Sequence, residues 1–249
     1  MSKEKDFQKI KKAVTAHDKN SIHFPVDNGF YKKIKALLPQ IQSPPTRPDG
    51  YVFHNGVLLV LEHFEIDCTE RKDHMGSKQQ FINDATEKEL ERQIGLLGAG
   101  MVVEEVPRSG QWYVESFTHA FQEHVAKINE YIDNVKKLVG ANIKEVIVGF
   151  VIEDASKLGY YSPATNKRVD ITNSKEFLDL FESAATLDFV LYTSTPTESK
   201  GYQVFLSKNA IKYARGDECE VTQLPEQQFT MVTYACNVYL VKDKESEKK

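Results

Sequence analysis

The chain has 249 residues, of which 41% are hydrophobic and 27% are charged, a composition typical of globular proteins. Its formal net charge of −4 provides no overall positive field that would attract nucleic acid or an anionic membrane. No apolar run approaches the ~20 residues needed to span a bilayer, and the N-terminus lacks the apolar region of a signal peptide. Three cysteines without C-x-x-C spacing indicate a reducing compartment, so we expect a cytoplasmic protein without membrane contact.

The charge is unevenly distributed, because residues 1–40 contain nine lysines and only four acidic residues. Residues 4–17 predict a helix in which Phe7, Ile10 and Val14 recur at helical spacing among these lysines. A basic segment of this kind either contacts nucleic-acid phosphates or forms a solvated helix face.

A second helix is predicted at Phe30–Leu38, and a proline-containing connector then leads into a hairpin. The hairpin consists of two apolar runs, Tyr51–Phe53 and Val57–Ile66, which flank the pair Asn55-Gly56. Asn-Gly favours a tight turn because both residues adopt positive φ at low cost. The second run is almost continuously hydrophobic, which is typical of a strand buried on both faces.

The remaining elements alternate between helices and strands. Predicted helices are Ala85–Leu97, Ser116–Val139 and Ser174–Ala185; predicted strands are Met101–Val106, Glu145–Ile152, Phe189–Thr193, Tyr202–Leu206 and Phe229–Val241, with a short hairpin within Tyr160–Ile171. This order predicts an α/β fold with a mixed central sheet flanked by helices. We expect one domain over residues 1–241 and a disordered charged tail at residues 242–249.

Acidic residues at the far end of the hairpin are the first candidates for function. Counting outward from the turn places Asp49 nearly opposite Glu62 on the paired strands. Two carboxylates at this distance repel one another unless a divalent cation lies between them. The alternatives are a buried salt bridge from Glu62 to Arg47 or Lys127, and ordinary turn chemistry for Asp49.

This pair resembles the motif of the PD-(D/E)xK superfamily of restriction-endonuclease-like nucleases. The chain has Pro48-Asp49, then twelve residues, then Glu62-x-Phe64, on a helix–strand–strand–helix–strand order. The resemblance covers about residues 28–152, which leaves residues 153–241 as a C-terminal elaboration. It implies a DNA nuclease in which Asp49 and Glu62 bind Mg²⁺, with the carbonyl of His63 as a further ligand.

One position departs from the family pattern, because Phe64 stands where the family has a lysine that orients the attacking water. Some similar nucleases supply this cation from the following helix, and the resemblance then assigns the role to His124 or Lys127. If neither residue substitutes, the same scaffold serves as a non-catalytic interaction protein, which is the alternative function.

Overall fold

The computed structural model describes residues 3–23, 25–68, 78–97, 99–140, 142–155, 160–161, 168–169, 172, 174–194, 202–214 and 228–238. The chain forms two compact units. The first consists of Met1–Asp67 and Tyr113–Leu224, and the second of Cys68–Trp112 and Pro225–Lys249. Within the described ranges, no helix is both long and apolar enough to cross a membrane.

Helices and strands alternate along the chain. The helices are α1 (Lys3–Asn20), α2 (Asn28–Leu37), α3 (Lys78–Leu97), α4 (Gly110–Ala126), α5 (Ile128–Val139), α6 (Lys175–Ser183) and α7 (Ile211–Ala214). The strands are β1 (Ser21–His23), β2 (Gly50–His54), β3 (Val57–Ile66), β4 (Ala99–Ser109), β5 (Glu145–Asp154), β6 (Tyr160–Tyr161), β7 (Arg168–Val169), β8 (Phe189–Ser194), β9 (Tyr202–Ser207) and β10 (Gln228–Val238). The predicted α/β class is confirmed.

The first unit is built around a six-stranded mixed sheet with the strand order β1-β9-β8-β5-β3-β2. The three inner strands β3, β5 and β8 run parallel to one another. Strand β2 is antiparallel to β3, and β9 is antiparallel to β8. The parallel strands are fully covered, which explains why their sequences are almost continuously apolar.

Helices pack on both faces of this sheet. Helices α1 and α2 share one face in a single core, which contains Phe7, Ile10, Ile34, Leu37, Leu59, Leu61, Ile147, Val151, Phe189, Leu191 and Phe205. On the opposite face, Phe121 of α4 contacts Phe150 of β5 edge-on, with ring centroids 5.6 Å apart. Phe177 of α6 contacts Phe121 in the same manner at 5.7 Å, so aromatic side chains join these helices to the sheet.

The predicted hairpin is formed by β2 and β3. Asn55 and Gly56 connect the strands with φ values of 51° and 82°, which is the geometry that Asn-Gly favours. The paired register runs from His54 with Val57 to Gly50 with Leu61. This register determines which residues meet at the open end of the hairpin.

The prediction of one continuous helix at Ser116–Val139 is wrong, because α4 and α5 are separated by a turn at Lys127. The Lys127 N–H donates to the carbonyl of His124 at 3.1 Å, which closes a tighter turn than an α-helix has. The carbonyl of Lys127 then accepts from Tyr131 N–H at 3.0 Å and begins α5. The apolar stripe continues across this break, so its periodicity gave no sign of the interruption.

The second unit contains α3 and a long antiparallel pair, β4 and β10. The register of this pair extends from Ala99 with Val238 to Ser109 with Gln228, and α3 contacts both strands. Helix α3 begins at Lys78, earlier than the predicted Ala85. The single domain expected over residues 1–241 stays a prediction, and the tail at 242–249 lies outside the described residues.

Candidate active site

Asp49 and Glu62 meet at the open end of the hairpin, as predicted. The Asp49 backbone N–H donates to Glu62 Oε2 at 3.1 Å, and the His63 N–H donates to Asp49 Oδ2 at 3.0 Å. These two carboxylates therefore act as acceptors just beyond the last backbone pair, which is Gly50 with Leu61. Both side chains are buried, so two negative charges are held close together away from water.

Two nitrogen-bearing side chains face the second oxygen of Glu62. Arg47 Nη1 donates to Glu62 Oε1 at 2.7 Å, and His124 Nδ1 lies 3.2 Å from the same oxygen. Burial alone would lower the pKa of Arg47, but the charge of Glu62, together with Tyr131 and Asp49, outweighs burial and raises this pKa. The salt bridge between Glu62 and Arg47, foreseen as an alternative, is present.

Lys127 does not occupy the place predicted for it. Its ammonium group donates to Glu123 at 2.6 Å, one helical turn earlier on the exposed side of α4. The turn between α4 and α5 places Lys127 at the end of a helix instead of on its inner face. Of the two residues proposed to supply the missing charge, only His124 forms an ion pair with Glu62 among the described contacts.

Phe64 and His124 form a parallel stack beside Glu62. Their ring centroids are 4.9 Å apart and the ring planes differ by 8°. Since Glu62 and Phe64 share one face of β3, Phe64 holds the His124 imidazole directly beside the carboxylate. The site thus has a ring nitrogen 3.2 Å from the Glu62 carboxylate.

Tyr131 is a part of this site that sequence reasoning did not identify. Its hydroxyl lies 3.1 Å from His124 Nδ1, and its ring is fully buried. Burial and the charge of Glu62 raise the pKa of Tyr131, which keeps the hydroxyl protonated. Tyr131 follows His124 by seven residues on the same helical stripe, and this spacing was the available signal.

The pKa of Asp49 reflects the burial and the charges at this site. Burial, and next the negative charge of Glu62, raise the pKa of the Asp49 carboxyl to about 6. The hydrogen bond from His63 and the charge of Arg47 act in the opposite direction and are weaker. Negative charge therefore exceeds positive charge here, and a further cation would stabilise the ionised pair.

His63 points to the opposite face of the sheet, toward α1. Its Nε2 lies 3.2 Å from Glu153 Oε2, and its Nδ1 lies 3.9 Å from Asp6 Oδ1. Lys9 of α1 pairs with Glu65 and lies 3.5 Å from Glu153. Burial would raise the pKa of Glu153, but its contacts with His63 and Lys9 lower it. Of His63, only the backbone is near the Asp49–Glu62 pair.

A separate buried polar cluster lies at the carboxyl ends of β5 and β8. Asp154 Oδ2 accepts hydrogen bonds from the hydroxyls of Tyr113 at 2.7 Å and Tyr192 at 2.5 Å. Burial, together with the Asp154 charge, raises the pKa of Tyr113 well above its ordinary value. These groups satisfy one another inside the core, which favours a structural role.

Comparison with known proteins leaves the relation to the nuclease superfamily a prediction. No family model, curated protein or solved structure matches the chain. In the described part of the chain, no three His, Cys, Asp or Glu side chains form a group that could hold a metal ion. The site therefore offers a pair of carboxylates, with the Arg47 guanidinium and the His124 imidazole beside Glu62.

Proposed function

We propose that this chain is a metal-dependent nuclease that hydrolyses phosphodiester bonds of DNA, or a protein derived from such a nuclease. One observation carries the proposal: two buried carboxylates, Asp49 and Glu62, meet at the end of a hairpin where their mutual repulsion is incompletely compensated. Paired carboxylates with this excess of negative charge favour a divalent cation. In the first unit α2, β2, β3, α4, α5 and β5 follow one another, while Cys68–Trp112 belongs to the second unit; we take the first set as the elements of the nuclease-like core proposed for about residues 28–152.

The residues present suit Mg²⁺. Carboxylate oxygens are hard ligands, and Mg²⁺ is usually bound by one or two carboxylates, with water and substrate phosphates completing its coordination. A pair of protein ligands is therefore sufficient, and a set of three side chains is not required. The guanidinium of Arg47 already acts as a stand-in cation on Glu62, which supports the preference of this carboxylate for positive charge.

Each residue of the site has a chemical role in this proposal. Asp49 and Glu62 would hold Mg²⁺, which polarises a phosphoryl oxygen and lowers the pKa of a bound water. His124 supplies a ring nitrogen beside Glu62 and replaces the motif lysine in orienting the water. Phe64 fixes the plane of that ring by stacking, and the buried hydroxyl of Tyr131 fixes its rotation.

The test is a calorimetric titration of Mg²⁺ and Mn²⁺ into the wild type and Glu62→Gln, with a cleavage assay on plasmid and single-stranded DNA. We expect Glu62→Gln to lose metal binding and cleavage together, because it removes a ligand charge without changing side-chain size. His124→Gln should keep metal affinity and lose about 100-fold or more in cleavage rate, as expected for the loss of an acid–base group. His119→Gln, on the exposed side of the same helix, is the matched control.

A non-catalytic interaction protein is the second candidate, and the ion pair between Arg47 and Glu62 favours it. A buried carboxylate that is satisfied by a guanidinium and a backbone N–H needs no metal to be stable. This candidate predicts that neither metal binds and no DNA is cleaved, while Glu62→Gln changes only the unfolding temperature. That outcome would overturn the nuclease proposal.

A further inference from the structure

Arg47 and Glu62 are very unequally exposed although they form one ion pair. The Glu62 side chain is only 1% exposed, whereas the Arg47 side chain is 52% exposed. The anion is thus fixed in the interior, and the cation reaches it from solvent. Only the cation can leave without a buried polar group being moved.

The Arg47 backbone is held by α5, while its half-exposed side chain is held by Glu62 and by a hydrogen bond with Tyr131. The Arg47 carbonyl accepts a hydrogen bond from Asn134 Nδ2 of α5 at 3.1 Å. Glu62 Oε2 is held by the Asp49 N–H, so the interaction with Arg47 is made through Oε1. The guanidinium, beside His124 Nδ1 at 3.2 Å, therefore occupies the Glu62 oxygen that does not accept a backbone N–H, and a second cation on this oxygen would compete with it.

A divalent cation and a guanidinium compete for this oxygen. Both are positive, so they repel one another, and each gains most of its stabilisation from the same buried charge. We infer that Arg47 is an exchangeable counter-ion: it neutralises Glu62 in the metal-free protein and is displaced into solvent when a divalent cation binds Asp49 and Glu62. This inference rests on the proposed metal site, and it makes Arg47 the residue that sets the metal affinity.

If Arg47 merely supported the metal site, its removal would weaken metal binding. The exchange predicts the opposite. Arg47→Gln removes the competitor, so we expect this variant to bind Mn²⁺ about tenfold more tightly than the wild type. Arg47→Lys keeps the charge on a more flexible, strongly hydrated group, and its affinity should fall between the two. The metal-free Arg47→Gln protein should be less stable than wild type, because Glu62 loses its main counter-ion.

The experiment is a calorimetric Mn²⁺ titration of the wild type, Arg47→Gln, Arg47→Lys and Glu62→Gln, with unfolding temperatures measured in EDTA and in Mn²⁺. Lys136→Gln, which removes an exposed positive charge from α5, controls for a general change in net charge. If Arg47→Gln is too unstable to titrate, the comparison of Arg47→Lys with wild type still tests the order of affinities.

The outcomes separate this inference from the nuclease proposal. Tighter binding by Arg47→Gln, with Lys136→Gln unchanged and Glu62→Gln inactive in binding, supports the exchange. Equal or weaker binding by Arg47→Gln, when the wild type binds through Glu62, overturns the exchange and leaves the metal site standing. If no variant binds Mn²⁺, including Arg47→Gln, both the exchange and the metal site are overturned. In Arg47→Gln there is no guanidinium to compete with the metal, so competition cannot explain the lack of binding.

Discussion

The environment of the Asp49 carboxyl differs strongly between the folded and the unfolded chain. Its pKa rises from an ordinary value near 3.8 to about 6, first through burial and then through the charge of Glu62. A carboxyl with a raised pKa binds its proton more strongly in the folded state than in the unfolded state. Over the interval between these two values, the folded protein therefore holds the greater number of protons.

This difference predicts a pH-dependent stability in metal-free buffer. The contribution of Asp49 to the free energy of unfolding should decrease as the pH rises from about 4 to about 6. In this interval burial and the charge of Glu62 oppose the ionisation of Asp49 in the folded state, whereas nothing opposes it in the unfolded state. The decrease is on the order of 2–3 kcal/mol, from about 1.4 kcal/mol per pKa unit. Asp49→Asn should remove it, as measured by urea unfolding in EDTA at a series of pH values.

The control for this prediction is Asp179→Asn, because Asp179 is an exposed carboxylate on α6. It should show the same pH dependence as the wild type. A parallel decrease in Asp49→Asn and the wild type would mean that another group causes the effect, and the raised pKa assigned to Asp49 would be wrong.

Individual site residues could be predicted only where a local rule applied. Asp49 and Glu62 followed from the hairpin, because Asn55-Gly56 sets the register and the register sets the cross-strand pair. Arg47 could be named as a partner but not chosen over Lys127, since that choice depends on a helix break. Asp154, with its two tyrosines, was missed because these residues are distant in sequence.

At the scale of elements, β5 depends on one glycine. Gly149 pairs with Phe189 of β8, and a Cβ atom added at Gly149 would meet the Phe189 ring. That ring has little room to move, because it stacks on Phe205 at 5.1 Å and contacts Phe30 at 6.1 Å. The small residue at the centre of the sheet is therefore a requirement of packing.

Gly149→Ala should consequently destabilise the protein. Overpacking in a filled core costs about 1–3 kcal/mol, so we expect a clear fall in the midpoint of urea unfolding. Gly149→Ala should cost less stability in the Phe189→Leu background than in the wild type, because the shorter leucine side chain leaves space for the added Cβ atom. Additive effects in this double-mutant cycle would contradict the proposed contact.

Elements were predictable from the sequence wherever the apolar period was unambiguous. The hairpin, α1, α2, β5 and β8 appear close to their predicted positions, because periodicity and turn residues agreed there. The break between α4 and α5 was not predictable, because Lys127 is an ordinary helix former and the apolar stripe runs through it. A hydrogen bond between the side chains of His124 and Tyr131 spans that turn.

At the scale of the whole molecule, positive charge is concentrated on one face of the sheet. Helices α1 and α2 pack on this face, and their exposed positions include Lys11, Lys12, Lys32 and Lys35. The net charge of −4 conceals this concentration. In the proposed nuclease, this surface lies on the opposite face of the sheet from Glu62 and His124, so it would neutralise DNA phosphates away from the cleaved bond.

The corresponding prediction concerns the salt dependence of DNA binding, measured in Ca²⁺ by fluorescence anisotropy. Lys12→Gln with Lys32→Gln should reduce the slope of log affinity against log salt by up to about 2, since each phosphate contact contributes about 0.9 for duplex DNA. The control pair Lys136→Gln with Lys137→Gln on α5 should leave the slope unchanged. Equal slopes in all three proteins would exclude the α1–α2 face as the DNA contact.

The pairing of strands that are distant in sequence was the least predictable feature of the fold. The α/β class followed from the alternation of elements, but nothing in the local sequence pairs β1 with β9 or β4 with β10. Such pairings join segments that are far apart along the chain, and they are stabilised only once the apolar core around them is complete. Local patterns contain no information about these partners.

The pairing of β1 with β9 also has a consequence for synthesis of the chain. Asp27, which follows β1, accepts a hydrogen bond from Ser207 at the end of β9, and these residues are 180 positions apart. At typical elongation rates of 5–20 residues per second, the ribosome needs roughly 10–40 s to produce the partner. During this time the apolar side of α1 and α2 lacks the Phe205 surface against which Tyr31 packs. The segment that contains α1, β1 and α2 is therefore synthesised well before its partner strand, and it completes its tertiary contacts only after β9 has been made.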